Sequence, residues 1–248
     1  MNAIYILWLR QIKRYLRSKA RIIGALGQPI LFFVAFGFGF GPVFQKAGSG
    51  NYLEFLGPGI IAMSIVFTAM FSGIEVIWDR QFGFLKETLV APVSRFNIML
   101  GRTLDGATVA VIQGVVVLIL AMLIGFRIQN YWLLPLAFVF MFLIAIFFTA
   151  LGTAIASRLV DNQAFPLIMN FVVMPLFFLS GALFPLEGVP AGIEWAAKLD
   201  PLTYGVDGLR GLLENQYFFN LSIDFTVLVL AALALVALGS WLFSKIEV

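Results

Sequence analysis

Six stretches of this chain are unbroken apolar runs, at 22–44, 53–77, 103–126, 132–156, 164–186 and 222–243. Each exceeds the roughly 20 residues that an α-helix needs to cross the hydrocarbon of a bilayer. None shows the dyad alternation of a barrel strand, so helices are expected. Among 248 residues, 61% are apolar and 12% charged, more apolar surface than a soluble domain of this size requires. The expected fold is an all-α polytopic membrane protein with six transmembrane helices. No internal repeat or low-complexity tract divides it, so residues 1–248 read as a single domain.

The connecting segments set an orientation. Counting Lys and Arg, residues 1–21 hold six, 78–102 four, 157–163 one and the C-terminal tail one. The opposite loops hold only Lys46, Arg127, Lys198 and Arg210. The positive-inside rule therefore predicts both termini in the cytoplasm. Residues 1–21 place Ile4, Trp8, Ile12, Tyr15 and Leu16 on one helical face and Arg10, Lys13, Arg14, Arg17 and Arg21 on the other. Such a helix is expected to lie in the interface beside anionic headgroups. The plainer reading is a topogenic flank with no further role. A cleaved signal peptide is not expected, because the basic and apolar regions are both too long.

Several chemistries are excluded. The chain has no cysteine and no histidine. Disulfides, thiolate or imidazole metal sites and the usual neutral-pH proton carrier are absent. No G-x-x-x-x-G-K-[ST] motif occurs, so no cofactor, and no ATP held through a P-loop, is expected on this chain. Gly37, Gly39 and Gly41 read as packing and bending positions. Glu54, Glu75 and Asp105 each lie roughly ten residues, or roughly 15 Å, from the centre of their span. Half the hydrocarbon thickness is also roughly 15 Å, so they are expected near an interface, with Asp105 able to meet Arg102. A proton relay through the membrane gains little support from them.

Three regions remain as candidates. In 78–102, residues Gln81 to Val90 have helical spacing, with Phe84, Leu85 and Leu89 on one side and Lys86 and Glu87 towards the other. Ala91-Pro92 stops that helix. It reads as a short helix offered to a protein partner. In 187–221, Leu202, Val206, Leu209 and Leu213 share one helical face, and Thr203, Asp207, Arg210 and Glu214 share the other. Pro201 suits the first turn. This helix is expected to lie on, or dip into, the outer surface. Within the spans, Ser64, Thr68 and Ser72 form one stripe, Gln113 sits near the centre of the third span, and Asn170 lies between Pro166 and Pro175. They read either as interhelical packing groups or as a weakly polar wall for an amphipathic passenger.

Four segments carry a resemblance: LGPGIIAMSIVFTAMFSGI at 56–74, FGFLKETLVAPVSR at 82–95, FFLSGALFPL at 177–186 and DPLTYGVDGLRGL at 200–212. In this order, with six spans and a basic N-terminal helix, the chain resembles the permease subunits of type-2 ATP-binding-cassette exporters. That group includes drug-resistance and lipo-oligosaccharide or polysaccharide export permeases. The resemblance implies a coupling helix at Phe82, Gly83, Phe84, Leu85, Lys86 and Glu87, docked on a separate cytoplasmic ATPase that holds ATP and magnesium. It implies a transport path along Ser64, Thr68, Ser72 and Asn170. It implies a re-entrant outer gate in 187–221, with Leu202, Tyr204, Asp207 and Arg210. It also implies a homodimer of permeases in the inner membrane of a prokaryote, and no nucleic-acid partner. An ATP-independent secondary transporter or channel, an intramembrane enzyme and an importer built on the same scaffold are the alternatives. The first would need buried ionisable groups or inverted repeats.

Overall fold

The computed structural model describes residues 3–46, 51–84, 94–159 and 161–244. Among the described residues every regular element is a helix. The N-terminal part comprises α1 (Ala3–Arg17), α2 (Lys19–Gly24), α3 (Gly27–Phe32), a π-helical stretch (Phe33–Phe38) and α4 (Gly39–Lys46). Then come α5 (Tyr52–Ser72), α6 (Ile74–Gln81) and α7 (Arg95–Ile124). A turn at Tyr131–Leu133 leads into α8 (Leu134–Arg158), followed by α9 (Ala164–Leu179), α10 (Ala191–Leu199), α11 (Pro201–Glu214) and α12 (Leu221–Ser244).

Among the described residues, five helical stretches are long and apolar enough to cross a membrane: Ile22–Phe44, Tyr52–Gln81, Arg95–Ile124, Tyr131–Arg158 and Leu221–Phe243. The stretch expected at 103–126 begins earlier, because the Ser94 side chain accepts from the Asn97 amide at 3.2 Å and caps α7 there. The stretch expected at 164–186 departs further. Its helix α9 has 16 residues and ends at Ser180, where Gly181 takes a left-handed φ of 72°. At ~1.5 Å per residue it is about 24 Å long. Residues 180–186 continue without helix, and the Leu183 carbonyl accepts from the Tyr52 hydroxyl at 2.7 Å.

The spans pack into one bundle with two distinct ends. At the basic end, Arg80 reaches the end of α8, and Val76, Ile98, Phe165 and Phe243 form a small apolar cluster. At the opposite end, Phe126 lies against Gly57, and the Gln129 amide donates to the Leu213 carbonyl at 2.9 Å. The Tyr52–Gln81 span is the most enclosed, with α7, α8 and α11 packed round it.

Lipid tails are as apolar as the side chains, so helices in a bilayer associate largely through close packing at small residues. A Cβ added at Gly73 would stand 2.5 Å from the Gly152 carbonyl oxygen, and one at Gly152 would stand 2.6 Å from the Met70 carbonyl oxygen. The α5–α6 junction therefore touches α8 backbone to backbone. Of the three glycines in GFGFG, only Gly37 is a packing position, against Leu53; Gly39 and Gly41 face open space.

Candidate functional site

The basic end is organised by α1. Its apolar face packs on α7, where the Trp8 indole donates to the Thr108 hydroxyl at 3.0 Å and the Tyr15 hydroxyl donates to Gln113 Oε1 at 2.5 Å. Tyr15 and Gln113 are both buried. The expected face is correct for Tyr15 and wrong for Leu16, which is exposed. Lys13, Arg14 and Arg17 are exposed on the other side. Gln113 Nε2 already lacks a partner among the described residues. Tyr15→Phe would leave Oε1 without this donor as well. A buried unsatisfied group costs about 1–3 kcal/mol, so the melting temperature of the detergent-solubilised variant should fall by several degrees. An unchanged melting temperature would mean that this bond does not anchor α1.

Beneath α1 lies a cavity of ≈620 Å³. Its walls come from α1, the α2–α3 turn and the basic half of the Tyr52–Gln81 span. Ser64 and Thr68 of the anticipated stripe line it, with Arg14, Gln28, Phe67 and Phe71. Ser72 does not. Its hydroxyl donates to the Ala69 carbonyl at 2.6 Å, and its side chain fills the space beside Gly106 of α7. Asn170 is also elsewhere, exposed on α9 between Leu167 and Phe171, while Phe165, Met169, Val173 and Phe177 face the bundle.

A set of ionic fasteners ties the same end together. Arg102 donates to Asp79, joining α7 to α6. This replaces the anticipated approach of Arg102 to Asp105. Arg80 donates to the Ser157 and Leu159 carbonyls at 2.8 and 3.1 Å, satisfying the end of α8 where cations are favoured. Arg14 stands 3.8 Å from Glu75. Glu75 and Asp105, placed near hydrated interfaces by sequence depth alone, are buried by the surrounding helices.

These fasteners lead directly to the anticipated coupling helix. It does not run unbroken from Gln81. Helix α6 ends at Gln81, Phe82 is a turn residue and Gly83 has φ of 81°, before Phe84 is helical again. Glycine makes that reversal without a Cβ clash. Phe82 and Phe84, large apolar side chains at this end, are 73% and 53% exposed. Leu85, Lys86 and Glu87 lie outside the described residues.

At the opposite end, α10 and α11 form a hairpin of which α11 is inserted into the bundle while α10 stays largely exposed. Asp200 accepts from the Leu202 amide at 2.9 Å and caps α11, with Pro201 in its first turn. Gly205 abuts Ile144, ten residues along α8, or about 15 Å from its start. The helix rises from there to Leu213 at the rim. Both of its faces are buried, including Thr203, Asp207, Arg210 and Glu214. Of the two placements anticipated for this helix, on the surface or dipping into it, the burial of both faces fits the second.

The four anticipated gate residues come together as fasteners of this hairpin. Leu202 is fully buried. The Tyr204 hydroxyl donates to the Lys198 carbonyl at 2.8 Å, and its ring stacks on Phe219. Asp207 accepts from the Phe218 and Phe219 amides at 2.8 and 2.7 Å. Arg210 donates to the Gly181 carbonyl at 2.9 Å and lies 4.0 Å from the centre of the Phe55 ring. Burial pushes the Glu214 carboxyl up to about 8, with Arg210 opposing the rise and Glu54 adding to it. A second cavity of ≈400 Å³, lined by Asp207, Arg210, Phe44 and Phe55, opens beside the hairpin.

The architecture is that of a multi-pass helical membrane protein with a cavity near one face and an inserted hairpin near the other. The ABC-2 type transporter family model matches residues 2–213, and the chain belongs to that family. Its relatives are transport permeases. The chain is 29% identical to the transport permease ycf38 of Cyanophora paradoxa, over 99% of this chain and 89% of that protein. It is 28% identical to nodulation protein J of Rhizobium leguminosarum bv. viciae, over 89% and 87%. It is 24% identical to the inner membrane transport permease YadH of Escherichia coli, over 84% and 81%.

Proposed function

We propose that this chain is the membrane half of an ATP-driven exporter. The basic end faces the cytoplasm, with both termini there, and α9 with residues 180–186 completes a sixth crossing. The permease pairs with a second copy of itself. A separate ATPase docks on the 78–102 segment, and its ATP-driven closure moves α6 and α7 through Asp79 and Arg102. The passenger is amphipathic, drug-like, lipid-linked or saccharide-bearing. It leaves the cytoplasm or inner leaflet through the hairpin end. The Escherichia coli relative supports an inner-membrane location.

The observation that carries this reading is the position of the cavity. It opens at the same end as the exposed Phe82 and Phe84, so an engine docked there would act within one helix length of the passenger. Pull-down of the detergent-solubilised chain from its native host should recover a soluble ATPase in stoichiometric amount. Phe84→Ser with Glu87→Gln should weaken that association at least about a hundredfold and so deplete the ATPase from the pull-down, the loss expected for one buried apolar anchor and one charged bond. Insertion and melting temperature should be unchanged. Full recovery of the ATPase with the double variant would remove the coupling assignment.

A further inference from the structure

We infer that the cavity beneath α1 holds one amphiphile with an anionic headgroup, the head at Arg14 and the chain along Phe67 and Phe71. The inference rests on reading this cavity as the passenger site and goes on to specify the passenger's chemistry.

Size comes first. At ≈620 Å³ the cavity lies within the roughly 300–1,000 Å³ that a drug-sized ligand occupies. It accommodates a single amphiphile, or the lipid anchor of something larger, and not a folded polymer. Access comes second. Gly24 and Ala25 line the cavity and are exposed, so no bulky side chain closes its edge. Phe71 is exposed on the span itself, so that edge is apolar and open to the outside of the bundle. A molecule already in the leaflet reaches the cavity sideways.

Polarity comes third. The lining combines apolar Pro29, Met63, Phe67 and Phe71 with polar Arg14, Ser18 and Gln28, and most of the apolar part comes from the Tyr52–Gln81 span. The side chains of Ser18, Gln28 and Thr68 make no hydrogen bond to any described residue, so their donors and acceptors are available. Ser64, by contrast, is satisfied by the Ile61 carbonyl at 3.0 Å. Charge comes last. Arg14 is 52% exposed, and its contact with Glu75 is 3.8 Å, beyond hydrogen-bond length. Lys13 and Arg17 flank it on the same helix and are exposed, so the helix adds positive charge beside the cavity. A guanidinium in this setting favours an oxyanion, which it can meet with two parallel N–H bonds.

The test uses the full chain in phosphatidylcholine nanodiscs, without an ATPase. The readout is energy transfer to pyrene-labelled phosphatidic acid or to pyrene-labelled phosphatidylcholine, taking the part of the signal lost in Trp78→Phe, since Trp78 lines the cavity. Transfer to the acidic probe should saturate and should half-saturate at about a tenfold lower mole fraction than the neutral probe, the scale of one charge-assisted contact. Arg14→Gln should abolish that preference. Arg14→Lys should keep most of it, and so should Arg17→Gln. Thr68→Phe should remove the saturable component for both probes. If Arg14→Gln does not fold, raising salt to ~0.5 M on the unaltered chain should shrink the preference instead.

Three results would overturn the inference. One is non-saturable transfer equal for both probes, which is annular lipid only. Another is an acidic preference untouched by Arg14→Gln or by salt. The third is displacement of the acidic probe by glycerol 3-phosphate at matching concentration, which would make this a site for free phosphate. The exporter reading fails separately, if no ATPase co-purifies while the saturable acidic binding persists.

Discussion

Arg210→Met should cost about 3–5 kcal/mol of stability, the scale of breaking a buried charge from its partners. The expected result is a large fall in melting temperature and little monodisperse protein after detergent extraction. Methionine matches the length of the arginine stem but donates nothing. The Gly181 carbonyl would lose its 2.9 Å donor, the Phe55 carbonyl a longer one at 3.4 Å, and the Phe55 ring its cation. These contacts join α11 to both α5 and the end of α9, so the hairpin would lose its grip on two neighbours at once. Arg210→Lys should rescue little, because an ammonium is a point charge without the planar fork that meets a carbonyl while stacking on a ring. A melting temperature for Arg210→Met close to the unaltered chain would show that packing alone holds the hairpin.

The second large effect is expected at Gly73. Gly73→Ala places a methyl 2.5 Å from a backbone carbonyl of α8, and neither backbone can yield without moving a helix. Overpacking of this kind costs about 1–3 kcal/mol, and a backbone obstacle belongs at the upper end. Arg80 and Asp79 follow Gly73 on α6, so the displacement would also pull at the fasteners to α8 and α7. Gly192→Ala is the matched control. It meets nothing within 4 Å on α10 and should be neutral or slightly stabilising, because alanine is the better helix former. Thermal melts of the two variants side by side decide the matter. Equal melting temperatures would mean that α6 and α8 can separate freely.

Much of this architecture was legible in the sequence because a bilayer permits so few solutions. Long apolar runs in lipid have to be helices, and five of the six runs became helices of spanning length. The sixth run was apolar for a different reason. Its last third is buried loop, where Leu183 and Leu186 pack inside the protein without helical hydrogen bonding. Hydropathy does not separate a side chain facing lipid from one facing protein.

That α11 lies inside rather than on the surface was left open by the sequence for a related cause. A polar stripe beside an apolar one usually marks a surface helix, because water satisfies the polar side. Here Asp207 finds its donors at Phe218 and Phe219, and Arg210 finds an acceptor at Gly181. Partners so distant in sequence leave no local periodic signal. The same holds for Ser72, whose place is set by a glycine on α7, and for Arg102, which takes Asp79 rather than its near neighbour Asp105. The depth estimate for Glu75 and Asp105 treated each helix as if alone in lipid. It missed the neighbours that bury them.

The shortness of α9 reaches beyond the protein. Its exposed apolar face, with Leu167, Phe171 and Phe178, is a band only about 24 Å tall, against about 30 Å of hydrocarbon in an average bilayer. Were that band to face such a bilayer, the lipids beside it would have to compress, at a cost of a fraction of a kcal/mol for each ångström of mismatch. The neighbouring spans are longer, so the strain is confined to one side of the molecule. A thin bilayer relieves it, and so does another short helix laid against the first. Membrane thickness would thereby act on this chain as a sorting force.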